Sequence, residues 1–169
     1  MSEDARFEDG EDKALNIGAF DKSDLEIVSS LIQDSILPVN EIKWLSTSNK
    51  LALLINRFRW EDKNLASSQD REVERVQSLL VISHVKNISS SGFSPKQRDK
   101  ILSVLSTSFN GEDGGSGNIL FVFSGNARIR VEVDALEINL RDVTMPYIAP
   151  SDVFQSITLS KQVIFFMKT

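Results

Sequence analysis

The segment "NILFVFSGNARIRVEVDALEINLRDV", residues 118–143, has the clearest pattern in the chain and decides its fold class. Apolar and polar residues alternate before and after Gly125, which is typical of two antiparallel strands joined by a short turn. The same segment places arginines and acids beside a row of phenylalanines. This charge marks either a site or the solvent-facing side of a sheet.

The length of the turn decides which residues share a face, because a shift of one residue exchanges the two faces of a strand. A two-residue loop, Gly125–Asn126, would place Phe121 opposite Arg130, whereas the three-residue loop Gly125–Ala127 places it opposite Val131. The second register gathers six apolar side chains on one face: Ile119, Phe121, Phe123, Ile129, Val131 and Val133. Burying each large side chain is worth roughly 1.5–3 kcal/mol. We therefore predict the three-residue loop, with the charged residues of the hairpin facing solvent.

Beyond Val133 the apolar residues move from odd to even positions, at Leu136, Ile138 and Leu140. A bulge or bend at Asp134–Ala135 accounts for this change of phase. A short helix is the alternative, since Leu136 and Leu140 are four residues apart.

A helix is predicted upstream, over residues 23–37, "SDLEIVSSLIQDSIL". Ser23 and Glu26 match a capping box, in which each side chain satisfies a free backbone N–H of the first turn. Apolar residues then recur at helical spacing and form one stripe to bury. Pro38 predicts that the helix ends near Ile36 or Leu37.

Strand periodicity replaces helical periodicity from residue 41 onward. "EIKWLSTSNKLALLINRFRW" (41–60) predicts a hairpin that turns at Ser48–Asn49, with Trp44 opposite Leu53 and Ile42 opposite Ile55. Residues 51–55 are apolar throughout, which indicates a central strand. Two further strands are predicted over residues 76–88 and 101–109.

These elements predict an α+β protein whose N-terminal helix packs on a curled, mainly antiparallel sheet of six or seven strands. The sheet would form a roll or barrel, of which the pleckstrin-homology-like barrel is one form. Residues 1–13 form an acidic head that we predict to be disordered, with an interaction arm as the alternative. Residues 14–150 form the single globular domain, and residues 151–169 an apolar tail.

The tail contains the cluster Val163–Met167, which is too apolar to be left in water. We predict that it packs on its own sheet or on a second copy of the chain, which would make a homodimer. Phe165 and Phe166 are the predicted anchors.

Composition narrows the classes of partner. The chain contains no cysteine and no apolar run of membrane-spanning length, which favours a cytoplasmic protein. Its net charge is −5, and residues 1–13, with six acidic and two basic residues, account for −4 of it. The remainder is close to neutral, so charge gives no reason to expect nucleic acid or a membrane as partner.

The inventory of reactive residues predicts no catalytic set, no metal site and no cofactor. His84 is the only histidine, and we interpret it as a neutral, hydrogen-bonded strand residue. The glycine-rich stretch "GEDGGSG" (111–117) lacks the Lys-Ser/Thr of a phosphate-binding loop and predicts a hairpin loop instead.

The stretch "NRFRW" (56–60) is the best candidate for ligand binding, through Arg57, Arg59 and Trp60. A strand here would show both cations on one side and both aromatics on the other, so the arginines could grip a carboxylate or phosphate. The alternative is a strand end whose aromatics are core and whose arginines pair with acids such as Glu61 or Asp62.

Four ordered blocks resemble a family of small bacterial proteins classed as a domain of unknown function: "DLEIVSSLIQDSI", "LALLINRFRWED", "RVQSLLVISHVKNI" and "FVFSGNARIRVEVDALEINLRDV". The resemblance spans about residues 15–150. It implies a stand-alone cytosolic protein and carries no activity, ligand or catalytic residue.

Because the inventory holds no catalytic set, the sequence predicts a non-catalytic binding or adaptor domain with an unknown protein partner. The alternative is a small-molecule or anion-binding protein, or an enzyme, that uses Arg57 and Arg59.

Overall fold

The structure is a computed structural model and describes residues 14–70 and 72–148. The helices are α1 (Lys22–Ile32) and α2 (Lys63–Ser68), and single 3-10 turns cover Val39–Glu41 and Trp60–Asp62. The strands are β1 (Asn16–Ala19), β2 (Ile36–Pro38), β3 (Ile42–Leu45), β4 (Lys50–Phe58), β5 (Arg75–Ile82), β6 (Val85–Ser91), β7 (Ile101–Gly111), β8 (Gly117–Phe123), β9 (Arg128–Val133) and β10 (Ile138–Asp142). The predicted head (1–13) and the predicted tail (151–169) lie outside the described residues.

All ten described strands belong to one antiparallel sheet in the order β1-β10-β5-β4-β2-β7-β8-β9-β6, with β3 paired to β4. The predicted antiparallel sheet is confirmed. The predicted count of six or seven strands is wrong, because one predicted strand is divided by a bend and a short strand was assigned to the helix. The described strands do not close on themselves, so the predicted barrel, pleckstrin-homology-like or other, is not formed.

Two bends lie against each other and turn the sheet. The first, at Ser83–His84, divides the predicted strand 76–88 into β5 and β6, and His84 has a φ of 56°. The second separates β9 from β10, which confirms the predicted bend at Asp134–Ala135. The backbone N–H of Asp134 donates to the His84 carbonyl, and that of Ser83 to the Glu137 carbonyl, both at 3.0 Å. The two bends lie at the same level, so the β5–β10 pair continues beyond them, in a new direction, as the β6–β9 pair.

Helix α1 begins earlier and ends earlier than predicted. Its N-cap is Asp21, whose carboxylate accepts from the Asp24 N–H at 2.8 Å, while the Asp24 carboxylate accepts from the Phe20 N–H at 3.0 Å. The Ser23–Glu26 capping box was therefore wrong: the capping pair is Asp21 and Asp24, and Asp24 accepts from the residue before the N-cap. The helix ends at Ile32, and Asp34 takes a left-handed φ of 62° that turns the chain into β2.

Both predicted hairpins form with their apolar faces as predicted and their pairing moved by two residues. In the first, Trp44 lies opposite Leu51 and Ile42 opposite Leu53, because the turn takes four residues. In the second, Phe121 lies opposite Ile129, and the Phe123 N–H donates to the Ala127 carbonyl. The second loop has three residues, Ser124–Asn126. A shift of two preserves the faces.

One core fills the concave side of the curled sheet. Helix α1 packs against β7, β1 and β4 and buries Leu25, Val28 and Ile32 in it. The apolar face of the β8–β9 hairpin is fully buried, and Phe121 and Phe123 stack with ring centroids 6.4 Å apart. The predicted central strand is confirmed, since residues 51–55 of β4 are buried on both faces.

Candidate functional site

The predicted ligand residue Arg57 lies at the centre of a buried ion cluster. Its side chain has no exposed surface, and it spans from β4 over β5 to Asp142 on β10. Arg57 Nη2 lies 3.0 Å from Asp142 Oδ1, and Ser78 Oγ donates to the same oxygen at 2.6 Å. The other Asp142 oxygen accepts from the Leu15 N–H at 3.0 Å. Asp142 thus joins four strands or strand ends in one network.

Glu61 completes the set of partners of Arg57. Its carboxylate pairs with the guanidinium in a bidentate manner, with Nη1–Oε2 at 2.9 Å and Nη2–Oε1 at 2.8 Å. The Phe58 carbonyl accepts from Nη1 at 3.1 Å, and Ser78 Oγ accepts from Nε at 3.0 Å. All five N–H groups of a guanidinium are then engaged within the protein. An incoming anion would have to displace Glu61 or Asp142.

The pKa values of this cluster follow from burial and pairing. Burial alone would lower the pKa of Arg57, but hydrogen bonds and charge from Glu61 and Asp142 outweigh it and raise the pKa above its ordinary value. Burial would raise the pKa of Glu61, but its hydrogen bond to Arg57 and the nearby positive charges lower it. Arg57 and Glu61 are therefore both ionised at neutral pH.

Arg59, the second predicted ligand residue, is also buried and paired. It contacts the carboxylates of Glu74 and Asp62, and its backbone N–H donates to the Glu74 carbonyl at 2.9 Å. Both arginines pair with acids, as the alternative interpretation of this stretch predicted. That interpretation also placed the two aromatic residues in the core. This part is wrong, because the arginines take the buried positions.

The two aromatic side chains of this stretch, Phe58 and Trp60, are each half-buried. Their rings lie 5.1 Å apart, and the Arg75 guanidinium sits 3.9 Å above the Phe58 ring. The third predicted ligand residue, Trp60, donates through Nε1 to the Gln33 carbonyl at 3.0 Å. The three predicted ligand residues line neither of the two cavities described below, and ligand binding by them stays a prediction.

His84 and the glycine-rich loop both have structural roles in the described chain. His84 lies in the bend, where its Nε2 contacts the Glu137 carboxylate, so the predicted strand position is wrong. The glycine-rich loop is the predicted hairpin loop, between β7 and β8, and Asp113 at its tip accepts from the Lys22 N–H at 2.8 Å. That carboxylate satisfies a free donor at the start of α1.

A groove lies where the curled sheet is left open, between β3 and β6. Its walls come from β3, β6, the 3-10 turn before β3 and the loop after β6, and we call it the β3–β6 groove. It encloses about 280 Å³ and is lined by Val39, Asn40, Ile42, Lys43, Ile88, Ser90, Phe93, Pro95 and Arg98. Within the described chain β3 pairs only with β4, and β6 only with β9. Each wall strand therefore has one edge without a partner strand.

The β6 residues in this groove belong to the core face of the sheet. Ile88 lies opposite the buried Val131, and Ser90 opposite the buried Ile129. Opposite residues of an antiparallel pair share a face. Yet Ile88 is only half-buried and Ser90 is exposed. The groove is therefore an uncovered part of the core face.

The polar side chains that line the groove are an amide (Asn40), a hydroxyl (Ser90) and two cations. Asn40 Oδ1 is buried and has no hydrogen-bond partner in the described part of the chain. Lys43 and Arg98 line the groove, and none of the described lining residues is an acid. Glu41, next in the chain, is 6% exposed and does not line it. Its burial raises its pKa, against a smaller lowering by Lys43.

A second depression lies on the outer face of the β7–β9 strands. It is lined by Ser108, Asn110, Asn118, Leu120 and Arg130. Arg130 Nε donates to Asn118 Oδ1 at 3.0 Å. All five residues project from one continuous sheet face, so no separate elements converge here. The predicted solvent-facing side of this hairpin is confirmed, since Arg128, Arg130 and Glu132 are all exposed.

Within residues 14–70 and 72–148, no three histidine, aspartate or glutamate side chains come together as a metal would require. No described helix has the length and hydropathy needed to cross a bilayer.

The antiparallel sheet, its internally paired ion cluster and the β3–β6 groove define a small sheet domain with one groove between two open strand edges of the described chain. The chain belongs to the family described as "Protein of unknown function (DUF2948)", whose model matches residues 15–153. This confirms the family resemblance in the sequence. No curated protein and no solved structure matches the chain.

Sequence reasoning missed the groove. Ile42 and Ile88 read as ordinary alternating strand residues, and their proximity depends on how far the sheet curls. The one local signal is that Ile88 stands alone among polar residues in "KNISSS".

Proposed function

We propose that this protein is a non-catalytic binding domain that holds an extended peptide segment of a protein partner in the β3–β6 groove. The observation that carries the proposal is that two strand edges without partners flank one partly apolar cavity. An extended peptide adds to such an edge by main-chain hydrogen bonds, and its alternate side chains enter the adjoining pocket.

The size and chemistry of the groove suit a peptide side chain. About 280 Å³ lies at the lower limit of small-molecule pockets. Ile42, Ile88 and Phe93 supply apolar contact, and Asn40 and Ser90 add polar side chains to the same lining.

The proposal is tested by peptide selection against the intact protein, followed by calorimetric titration of the enriched peptides. Ser90→Trp fills the groove from an exposed position. Ser89→Trp is the matched control, since Ser89 is the preceding residue, exposed, and on the opposite face of β6. We expect Ser90→Trp to abolish binding and Ser89→Trp to preserve it. Enriched peptides that bind both variants equally would contradict the proposal.

The anion-binding alternative draws no support from Arg57, whose donors are all engaged within the protein. The same titrations made with phosphate and acetate test it directly.

A further inference from the structure

The cations of the β3–β6 groove indicate the charge of its occupant. Lys43 and Arg98 line the groove, and neither makes an ion pair with another described residue. Lys96 and Lys100 lie on the same loop as Arg98, where Asp99 is the only acid. Positive rims favour acidic segments, both in the rate of encounter and in the choice of partner.

The chain carries such a segment at its own N-terminus. Residues 1–13, "MSEDARFEDGEDK", hold six acids and one aromatic residue, Phe7. The apolar tail, residues 151–169, carries a net positive charge, because it contains one acid, Asp152, and two lysines, Lys161 and Lys168. Charge therefore favours the head over the tail as occupant.

The register of the sheet shows that the head can reach the groove. One row of paired residues runs across five strands from the start of the domain to the groove: Ile17, Leu140, Leu80, Leu53 and Ile42. Four strand spacings amount to about 19 Å along the sheet. With Phe7 in the groove, the seven residue steps from Phe7 to Ala14 span at most about 23–25 Å when extended. The head is long enough to cross the sheet and lie in the groove.

We propose that residues 1–13 of this chain occupy the β3–β6 groove, with Phe7 against its apolar residues and the flanking carboxylates against Lys43 and Arg98. This rests on the proposed function of the groove and adds its regulation. A short tether gives the head an effective concentration on the order of millimolar, so a partner peptide must compete with it. The partner is then itself an acidic segment with an apolar side chain.

Paramagnetic line broadening in the intact chain tests the proposal. The chain has no cysteine, so Ser2→Cys gives a single site for a nitroxide label. We expect the amide signals of Lys43 and Ser90 to broaden selectively over those of Ser67 and Ser68 on α2, which follows the end of β4 remote from β3. Lys43→Glu with Arg98→Glu should abolish the broadening. The matched pair Lys22→Glu and Lys63→Glu, exposed lysines on the two helices, should preserve it.

A second variant leaves the folded domain unchanged. The head is neutralised by Glu8→Gln, Asp9→Asn, Glu11→Gln and Asp12→Asn. We expect this variant to lose the broadening and to bind an enriched acidic peptide about tenfold more tightly. The reason is that a head without these four carboxylates no longer competes with the peptide for the groove. Raising the ionic strength should weaken the broadening in the unaltered chain.

The outcomes separate the two proposals. Absence of selective broadening at the groove overturns the occupancy by the head, as does broadening there from a label at Thr169→Cys in the tail. Peptide binding that remains sensitive to Ser90→Trp would then leave the groove's function intact. Occupancy by the head with no enriched peptide able to displace it would instead contradict the proposed function.

Discussion

Arg57 on β4 and Asp142 on β10 form an ion pair across the strand that separates them, with 3.0 Å between Nη2 and Oδ1. Ser78 on the intervening β5 donates to the same oxygen. The most conspicuous charged stretch of the sequence therefore supplies the link between three adjacent strands. The arginines of this stretch therefore stabilise the sheet, and the candidate binding site is the β3–β6 groove, where two strand edges lack partner strands in the described chain.

Replacing Arg57 with methionine should lower the free energy of unfolding by about 3–5 kcal/mol. The cost is high because the change leaves Asp142 buried without its cation. Urea denaturation measures it. Arg128→Met, on the exposed face of β9, is the control and should change stability by less than about 0.5 kcal/mol. Equal effects of the two substitutions would show that the buried pair is not a structural link.

Glu61 should stabilise the protein at neutral pH and not in acid. Its pKa is lowered from 4.5 in the folded state, so its contribution is complete above that value and is lost as the pH falls through the folded pKa. Glu61→Gln should therefore be less stable than the unaltered protein at about pH 7, and the difference should shrink towards about pH 3. A difference independent of pH in thermal melts would contradict this assignment.

Glu41 should show the opposite dependence. Burial raises its pKa above 4.5, so the stability of the folded state is highest below that value and falls as the pH rises through the folded pKa. Glu41→Gln should raise the melting temperature at about pH 7 and have little effect at about pH 3. Glu26→Gln, an exposed acid of α1, serves as the control. A loss of stability at neutral pH would mean that Glu41 makes favourable contacts as an anion.

Phe121→Ala should cost about 3–5 kcal/mol, the usual range for a buried aromatic residue. Phe121 is fully buried and stacks on Phe123. Leu105→Ala on β7, where the side chain is 48% exposed, should cost less than about 1 kcal/mol. A similar small loss at Phe121 would contradict the assignment of the core face of the β8–β9 hairpin.

The faces of the strands could be predicted from the sequence, because apolar burial outweighs turn preference. Phe121 and Ile129 share the buried face although the predicted pairing was two residues off. The exact pairing depends on turn geometry, which alternation does not report. Helix α1 was extended too far because Ile36 continues its apolar spacing, while the left-handed turn at Asp34 has no comparable local signal.

The site could be predicted only in part, because its contacts are long-range. Glu61 and Asp62 were predicted as partners of the arginines because they are close to them in the chain. Asp142 is 85 residues away, and no local pattern connects it to that stretch. The groove depends on the two bends at His84 and Asp134, which set where the sheet stops short of closing.

Amide hydrogen exchange of β3 and β6, with and without an enriched peptide, tests the central claim most directly. The account predicts that amides on the outward edges of residues 43–45 and 86–91 gain protection when peptide binds, because a new strand pairs with them. Ser90→Trp should remove that gain, and Ser89→Trp should retain it. Protection confined to the outer face of β7–β9, or unchanged exchange at both edges, would contradict the account.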